Sequence, residues 1–213
     1  MIAIVNYGMG NLRSVQKAFE HIGVEARITS QPAEVLAADA VVLPGVGAFG
    51  AAMARLNELG LTSALRRAIE SNKPFLGICL GLQLLFESSS ESPGVEGLGM
   101  LKGRVVSFRE QLGFSLRVPH MGWSRLRLAR PDYSLWRGVA DGAYVYFVHS
   151  YYPEPADASI TTAYCEYGIR FACAVSVGNV HAVQFHPEKS SQTGLQILRN
   201  FCTQVVGKRE VFC

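Results

Sequence analysis

The chain has 213 residues, 49% of them hydrophobic and only 17% charged, which suffices to bury a core without disulfide or metal staples. Its net charge of +3 comes from scattered Lys and Arg, which argues against a nucleic-acid-binding surface. Five cysteines, at 79, 165, 173, 202 and 213, are odd in number and lack C-x-x-C spacing. That argues against a disulfide framework and a zinc site, so no metal is expected and a reducing cytoplasm is the expected compartment.

Ile2 to Val5 reads as a buried strand, too short and too lacking in a charged flank for a signal peptide. A loop, Asn6 to Asn11, leads into an amphipathic helix carrying Leu12, Val15, Ala18, Phe19 and Ile22, which Gly23 stops. Val24–Ile28 predicts a second strand, Pro32–Ala38 a short helix, and Ala40–Leu43 a third strand. Helices are expected over Ala48–Leu59 and Leu61–Ser71, then a fourth strand from Phe75, then a helix running on through Leu82 to Glu87. The longest uncharged stretch, residues 40–54, is broken by Pro44, Gly45, Gly47 and Gly50, so it is no membrane span. Strand alternating with helix predicts an α/β fold with a parallel sheet. Residues 88–99 read as a Ser/Gly/Pro-rich surface loop. Beyond Met100 the pattern turns β-rich, with runs at Val105–Phe108, Ser115–Val118, Tyr144–His149, Ser159–Tyr164, Phe171–Val177 and Val180–Phe185. A final amphipathic helix starts at Gly194, with Leu195, Leu198, Phe201 and Cys202 on its apolar face. With no repeat and no linker, one domain spanning 1–213 is expected.

The segment Gly77-Ile78-Cys79-Leu80-Gly81 reads as strand, sharp turn, helix, with Cys79 held in a strained conformation where its thiol is exposed. Taken alone, the pentapeptide fits a buried cysteine packing a strand end equally well. In open α/β sheets ligands bind beyond the carboxyl ends of strands, which is where Cys79 would stand. Far along the chain, His186-Pro187-Glu188 offers an imidazole with a carboxylate two residues on. In an extended segment those two side chains share a face, so Glu188 can hold the ring of His186 in one tautomer. A strand-ending turn with a solvated glutamate fits that tripeptide too. His21 sits near a helix end, His181 begins a strand, and His120 and His149 lack a carboxylate at i+2, so His186 is the base candidate. Gly45-Val46-Gly47-Ala48-Phe49-Gly50 matches G-x-G-x-x-G, but the next strand ends in Cys79 rather than the acid that a dinucleotide site wants. Such a glycine-rich turn can instead offer backbone N–H groups to an oxyanion, with Leu80 supplying a second donor.

Together these segments resemble the class I triad glutamine amidotransferases, with Gly77 to Gln83 as the nucleophile segment and His186-Pro187-Glu188 as its partner. Within that superfamily the chain resembles the glutaminase subunits of imidazole glycerol phosphate synthase. The resemblance runs through Val5–Leu12, Leu43–Phe49, Gly97–Gly99, Pro119–Trp123, Tyr146–Tyr151 and His186–Ser190. Ser124 departs from it, standing where that family usually has asparagine. The resemblance implies a flavodoxin-like domain that hydrolyses L-glutamine to glutamate and ammonia without a cofactor. Cys79 would be the nucleophile, His186 the acid and base, and Glu188 its orienter. Val46 and Leu80 would be the oxyanion donors, and Gly47, Gln83 and Ser150 would hold glutamine. It also implies a heterodimer with a (β/α)8-barrel cyclase, which takes the ammonia and makes imidazole glycerol phosphate and aminoimidazole carboxamide ribotide. Lys189, Tyr146 and Trp123 are the interface candidates, and glycines at 45 and 47 make a partner-dependent peptide flip of the oxyanion turn inexpensive. Rival readings are a glutaminase serving pyridoxal phosphate synthesis, a sugar-amidating paralogue, or a cysteine-peptidase-like thiol hydrolase.

Overall fold

A computed structural model of the chain describes residues 1–113 and 116–206; Ser115, which opens one expected β-run, and Cys213 lie outside them. The first half alternates as its periodicity predicts. It runs β1 (Ile2–Val5), α1 (Leu12–His21), β2 (Ala26–Thr29), α2 (Pro32–Ala37), β3 (Ala40–Gly45), α3 (Phe49–Glu58), α4 (Leu61–Glu70), β4 (Phe75–Cys79). A single turn, α5 (Leu80–Gln83), follows. The second half is β5 (Ser88–Ser89), β6 (Gly103–Ser107), α6 (Phe108–Leu112), β7 (His120–Arg125), β8 (Arg127–Leu128), β9 (Tyr144–His149), β10 (Tyr151–Pro155), β11 (Thr161–Tyr167), β12 (Ile169–Val177), β13 (Val180–Val183) and α7 (Ser191–Val206).

The main sheet has the order β2-β1-β3-β4-β13-β12-β11-β8. Its first five strands are mutually parallel, and β12, β11 and β8 extend it antiparallel. This is the flavodoxin-like winding, with a β-rich extension in the second half. Every residue of β1, β3, β4 and β13 is buried, which is why they read as apolar runs, interrupted in β13 only by the buried His181. Alternate residues feed opposite faces. Val42, Leu76 and Ile78 pack with α1 and α7 through Phe19, Ile197, Leu198 and Phe201. Val41, Leu43 and Phe75 pack with α2, α3 and α4 through Val35, Leu56 and Leu65. Each wholly buried Phe or Leu in these layers stabilises the fold by roughly 1.5–3 kcal/mol.

Three expectations need correction. The helix predicted through Glu87 stops after one turn. Leu84, Leu85 and Phe86 are all fully buried and leave no polar face, and their carbonyls accept from Leu98, Met100, Leu101 and Gly99 rather than from a continuing helix. Phe108, expected to close a strand, opens α6 instead, because Ser107 caps that helix by accepting from Arg109 N at 3.1 Å. Leu116 to Val118 form no strand; the pairing begins at His120, in β7.

Candidate active site

The nucleophile candidate sits where the backbone cannot relax. Cys79 has φ 55° and ψ −109°, a conformation that L-residues rarely adopt, at the junction of β4 and α5. The turn closes only because its neighbours are glycines. A β-carbon at Gly81 would stand 1.7 Å from Leu43 O, and one at Gly77 would stand 2.8 Å from Gly81 O. The α5 turn is too short to carry much dipole, so its contribution at Cys79 is chiefly its free N–H groups.

Strand register brings the other pieces to the same place. β3 pairs with β4 so that Gly45 lies opposite Cys79, which sets the Val46-Gly47 turn beside the sulfur. β13 lies on the other side of β4, with Val183 opposite Ile78, and the chain runs on from there to His186. The 107 residues between Cys79 and His186 are thus bridged by adjacent strand ends, which sequence spacing alone does not reveal.

His186 Nδ1 lies 2.8 Å from Glu188 Oε1, with the two side chains 3% and 1% exposed. The contact forms differently from the sequence argument. Pro187–Lys189 is a turn of 3-10 helix rather than extended chain, and it folds the carboxylate back onto the ring. Burial alone would push His186 down. The Cys79 sulfur, as hydrogen-bond partner and as charge, together with Glu188, outweighs burial and raises the imidazole to about 10. Its buried Nε2 has no oxygen or nitrogen partner among the described residues.

A cleft of about 320 Å³ opens over Cys79, lined among others by Val46, Gly47, Leu80, Gln83, Glu91, Val148, His149, Ser150 and Tyr151. All of the expected oxyanion and glutamine-holding positions border it. Gln83 is nearly buried, and its Nε2 donates inward, to Tyr151 O at 2.9 Å and Gln184 Oε1 at 3.1 Å, leaving only its Oε1 for a ligand. The two glycines of the turn differ in kind. Gly47, at φ 105°, holds a conformation that favours glycine, whereas Gly45 is required for want of space. A β-carbon at Gly45 would lie 2.1 Å from Tyr7 Oη, and that hydroxyl donates to Pro44 O at 3.0 Å. Any reorientation of the turn is therefore confined to Val46-Gly47.

Three residues of the site escaped the sequence reading. Glu91, in the loop taken as surface, is the one acid lining the cleft among the described residues, and its Oε2 accepts from Phe49 N at 2.7 Å at the start of α3. Tyr7 lies fully buried against the turn; burial, then the neighbouring Cys79 charge, push its hydroxyl up. Gln184 Nε2 stands 3.7 Å from Cys79 Sγ. Only Gln184 carried a signal, its place two residues before His186 in an extended run.

The expected interface residues cluster outside the cleft. In the β7–β9 ribbon Trp123 pairs with Tyr146, their rings 6.0 Å apart, and Lys189 Nζ lies 5.9 Å from the Tyr146 ring. Met121, 61% exposed, and Trp123, 51% exposed, share that outer face, and Met121 pairs with Val148 at the cleft. Among the described residues no cluster of metal-ligating side chains occurs, and no helix is long and apolar enough to cross a membrane. Cys79, Cys165, Cys173 and Cys202 are free and buried.

A family model described as glutamine amidotransferase class-I matches residues 3–205. Imidazole glycerol phosphate synthase subunit HisH of Syntrophotalea carbinolica is 53% identical over 204 residues, covering 94% of this chain and 98% of that protein. The protein of the same name from Methanothermobacter thermautotrophicus is 52% identical, covering 94% and 97%. Among solved structures, one titled as a glutamine amidotransferase superposes with a TM-score of 0.75 at 20% identity, covering 97% of this chain and 100% of the other. The glutaminase domain of Trypanosoma brucei CTPS, with bound acivicin, gives 0.71 at 18% identity, covering 100% and 96%. These distant structures share the fold. The chain is therefore an enzyme subunit of the class-I glutamine amidotransferase family and belongs, within it, with the HisH subunits of imidazole glycerol phosphate synthase.

Proposed function

We propose that this chain is the glutaminase of a cytoplasmic imidazole glycerol phosphate synthase, a single domain that hydrolyses L-glutamine and passes ammonia to a (β/α)8-barrel cyclase. The observation that carries the reading is the strained Cys79 beside His186, with Glu188 2.8 Å from the far nitrogen of that ring. A buried Cys-His-Glu set at adjacent strand ends has little structural reason to exist, since burying charges costs stability.

Glutamine enters with its side-chain amide over Cys79 and its α-ammonium toward Glu91, the acid of the cleft. The Cys79 thiolate attacks the amide carbon, and the carbonyl electron pair moves onto oxygen. Backbone N–H groups of Val46 and Leu80 stabilise that oxyanion, each worth roughly 3–4 kcal/mol in the barrier. His186, charged and held by Glu188, protonates the departing ammonia. It then takes a proton from water as water attacks the thioester, releasing glutamate. Gly47, Gln83 and Ser150 border the substrate and hold it. The released ammonia is handed to the cyclase across the face bearing Met121, Trp123, Tyr146 and Lys189, whose exposed aromatic and Met side chains are of the kinds enriched at binding interfaces.

The experiment is co-purification of the chain with a barrel cyclase, followed by glutamine-dependent turnover of the complex. Complex formation that is lost in Trp123→Ala supports the reading. A chain that hydrolyses glutamine but binds no cyclase contradicts the partner assignment.

A further inference from the structure

We propose that Gln184 is a further catalytic residue, whose side-chain amide donates to the Cys79 sulfur and stabilises it as an anion. The proposal rests on Cys79 being the nucleophile argued above. Gln184 is wholly inaccessible to solvent, so its amide groups need partners. The partners dictate which way round the amide lies. Tyr151 O can only accept, so Gln83 must turn its NH2 toward it, at 2.9 Å. The second hydrogen of that NH2 meets Gln184 Oε1 at 3.1 Å. With its oxygen occupied, Gln184 presents its own NH2 to Cys79 Sγ at 3.7 Å.

The same carbonyl anchors a second arm. His149 Nδ1 lies 2.9 Å from Tyr151 O and so carries the hydrogen there, which leaves Nε2 to accept from His120 Nδ1 at 3.0 Å. His120 Nε2 then accepts from Ser124 Oγ at 2.8 Å. Burial holds both rings down, at about 3 for His149 and about 4 for His120, so they stay neutral and the donor order is preserved near neutral pH. An unbroken hydrogen-bonded chain thus runs from Ser124 in the β7 ribbon to the nucleophile, and it ends with an N–H aimed at sulfur. The Cys79 thiol can itself donate to Val148 O, 3.9 Å away, leaving sulfur lone pairs free for Gln184.

An N–H donor binds an ionised acceptor more strongly than a neutral one, so the amide holds the sulfur as it attacks. It acts again when the thioester is hydrolysed. The oxygen of water bonds to the acyl carbon, its proton goes to His186, and the C–S electron pair returns to a sulfur already facing a donor.

The test uses the full chain and follows the pH dependence of iodoacetamide alkylation, subtracting the labelling that remains in Cys79→Ser. Gln184→Leu removes the donor at similar volume. Gln184→Met, unbranched like glutamine and uncharged, guards against a leucine variant that fails to fold. The expected result in both is an alkylation midpoint raised by about one pH unit or more, with labelling below the midpoint slowed roughly tenfold. Glutamine kcat falls by a similar factor while KM stays within about twofold. A folded variant with an unshifted midpoint overturns the proposal, even if its kcat falls, because a merely structural role leaves sulfur ionisation alone. Full glutaminase activity in Cys79→Ser would instead sink the nucleophile assignment on which the proposal rests.

Discussion

On the proposed mechanism Glu188 holds a charged His186, and the burial of its side chain makes the loss of that charge costly. In Glu188→Gln the ring keeps an acceptor but loses the anion that stabilises imidazolium. Glutamine turnover is therefore expected to fall roughly 10²–10⁴-fold, read by a glutamate-release assay; a drop below tenfold would remove Glu188 from the mechanism. The histidines also set opposite pH dependences. His186 is raised from 6.5 to about 10, so the stability it contributes is complete below 6.5 and lost as pH rises toward 10. His120 and His149 are depressed to about 4 and about 3 by burial, so the unfolded chain binds protons that the folded one refuses. Their contribution is complete above 6.5 and drains away as pH falls toward those values. Thermal melts should accordingly decline from pH 7 to pH 4, and NMR of the His149 ring should show no protonation above pH 4. A ring that titrates near 6.5 would contradict the buried neutral chain.

At the scale of elements, the nucleophile turn depends on two backbones touching. A methyl at Gly81 has no room, since its carbon would lie 1.7 Å from Leu43 O, and backbone cannot step aside as a side-chain tip can. Gly81→Ala is expected to cost at least the roughly 1–3 kcal/mol of an overpacked core, seen as a lower urea midpoint. An unchanged midpoint would mean that β3 and α5 are not packed as described. This turn was legible in the sequence because glycines at 77 and 81, flanking a cysteine after an apolar run, suit a close strand-to-helix crossing and little else. The alternating strands and helices of the first half were legible for a similar reason, since each obeys its own hydrophobic period. What followed Gln83 was not. Leu82 to Phe86 carry apolar residues at helical spacing, yet the segment unwinds, because the loop at 98–101 takes the carbonyls that a helix needs. Tertiary hydrogen bonds of that kind leave no trace in local periodicity. β5 and β8, two residues each, are too short to show a period, and β7 and β10 carry glycine, proline and charged residues in place of an apolar run, so all four escaped detection.

For the whole molecule, the parallel sheet gathers Gly45, Cys79 and His186 at its carboxyl edge, and the β7–β9 ribbon ties that edge to an exposed aromatic face. The tie is covalent and hydrogen-bonded at once. Tyr146 O accepts from His186 N at 2.9 Å, Tyr146 N donates to Ser190 Oγ at 2.9 Å, and the Tyr146 side chain meets Lys189 and Trp123 outside. Motifs 107 positions apart pointed to the chemistry and Gln184 had only its place two residues before His186, whereas Glu91 and Tyr7 became visible only when the fold set one in the cleft and the other against the Pro44 turn. On the proposed function Cys79 makes ammonia for a partner and takes no part in what the partner does with it. The most direct measurement compares glutamine-dependent and ammonium-dependent imidazole glycerol phosphate formation by the cyclase complex carrying Cys79→Ser. The account predicts that the glutamine-dependent rate is abolished while the rate with ammonium salts matches that of the unmodified complex. Retention of glutamine-dependent synthesis, or loss of both rates in an intact complex, would contradict it.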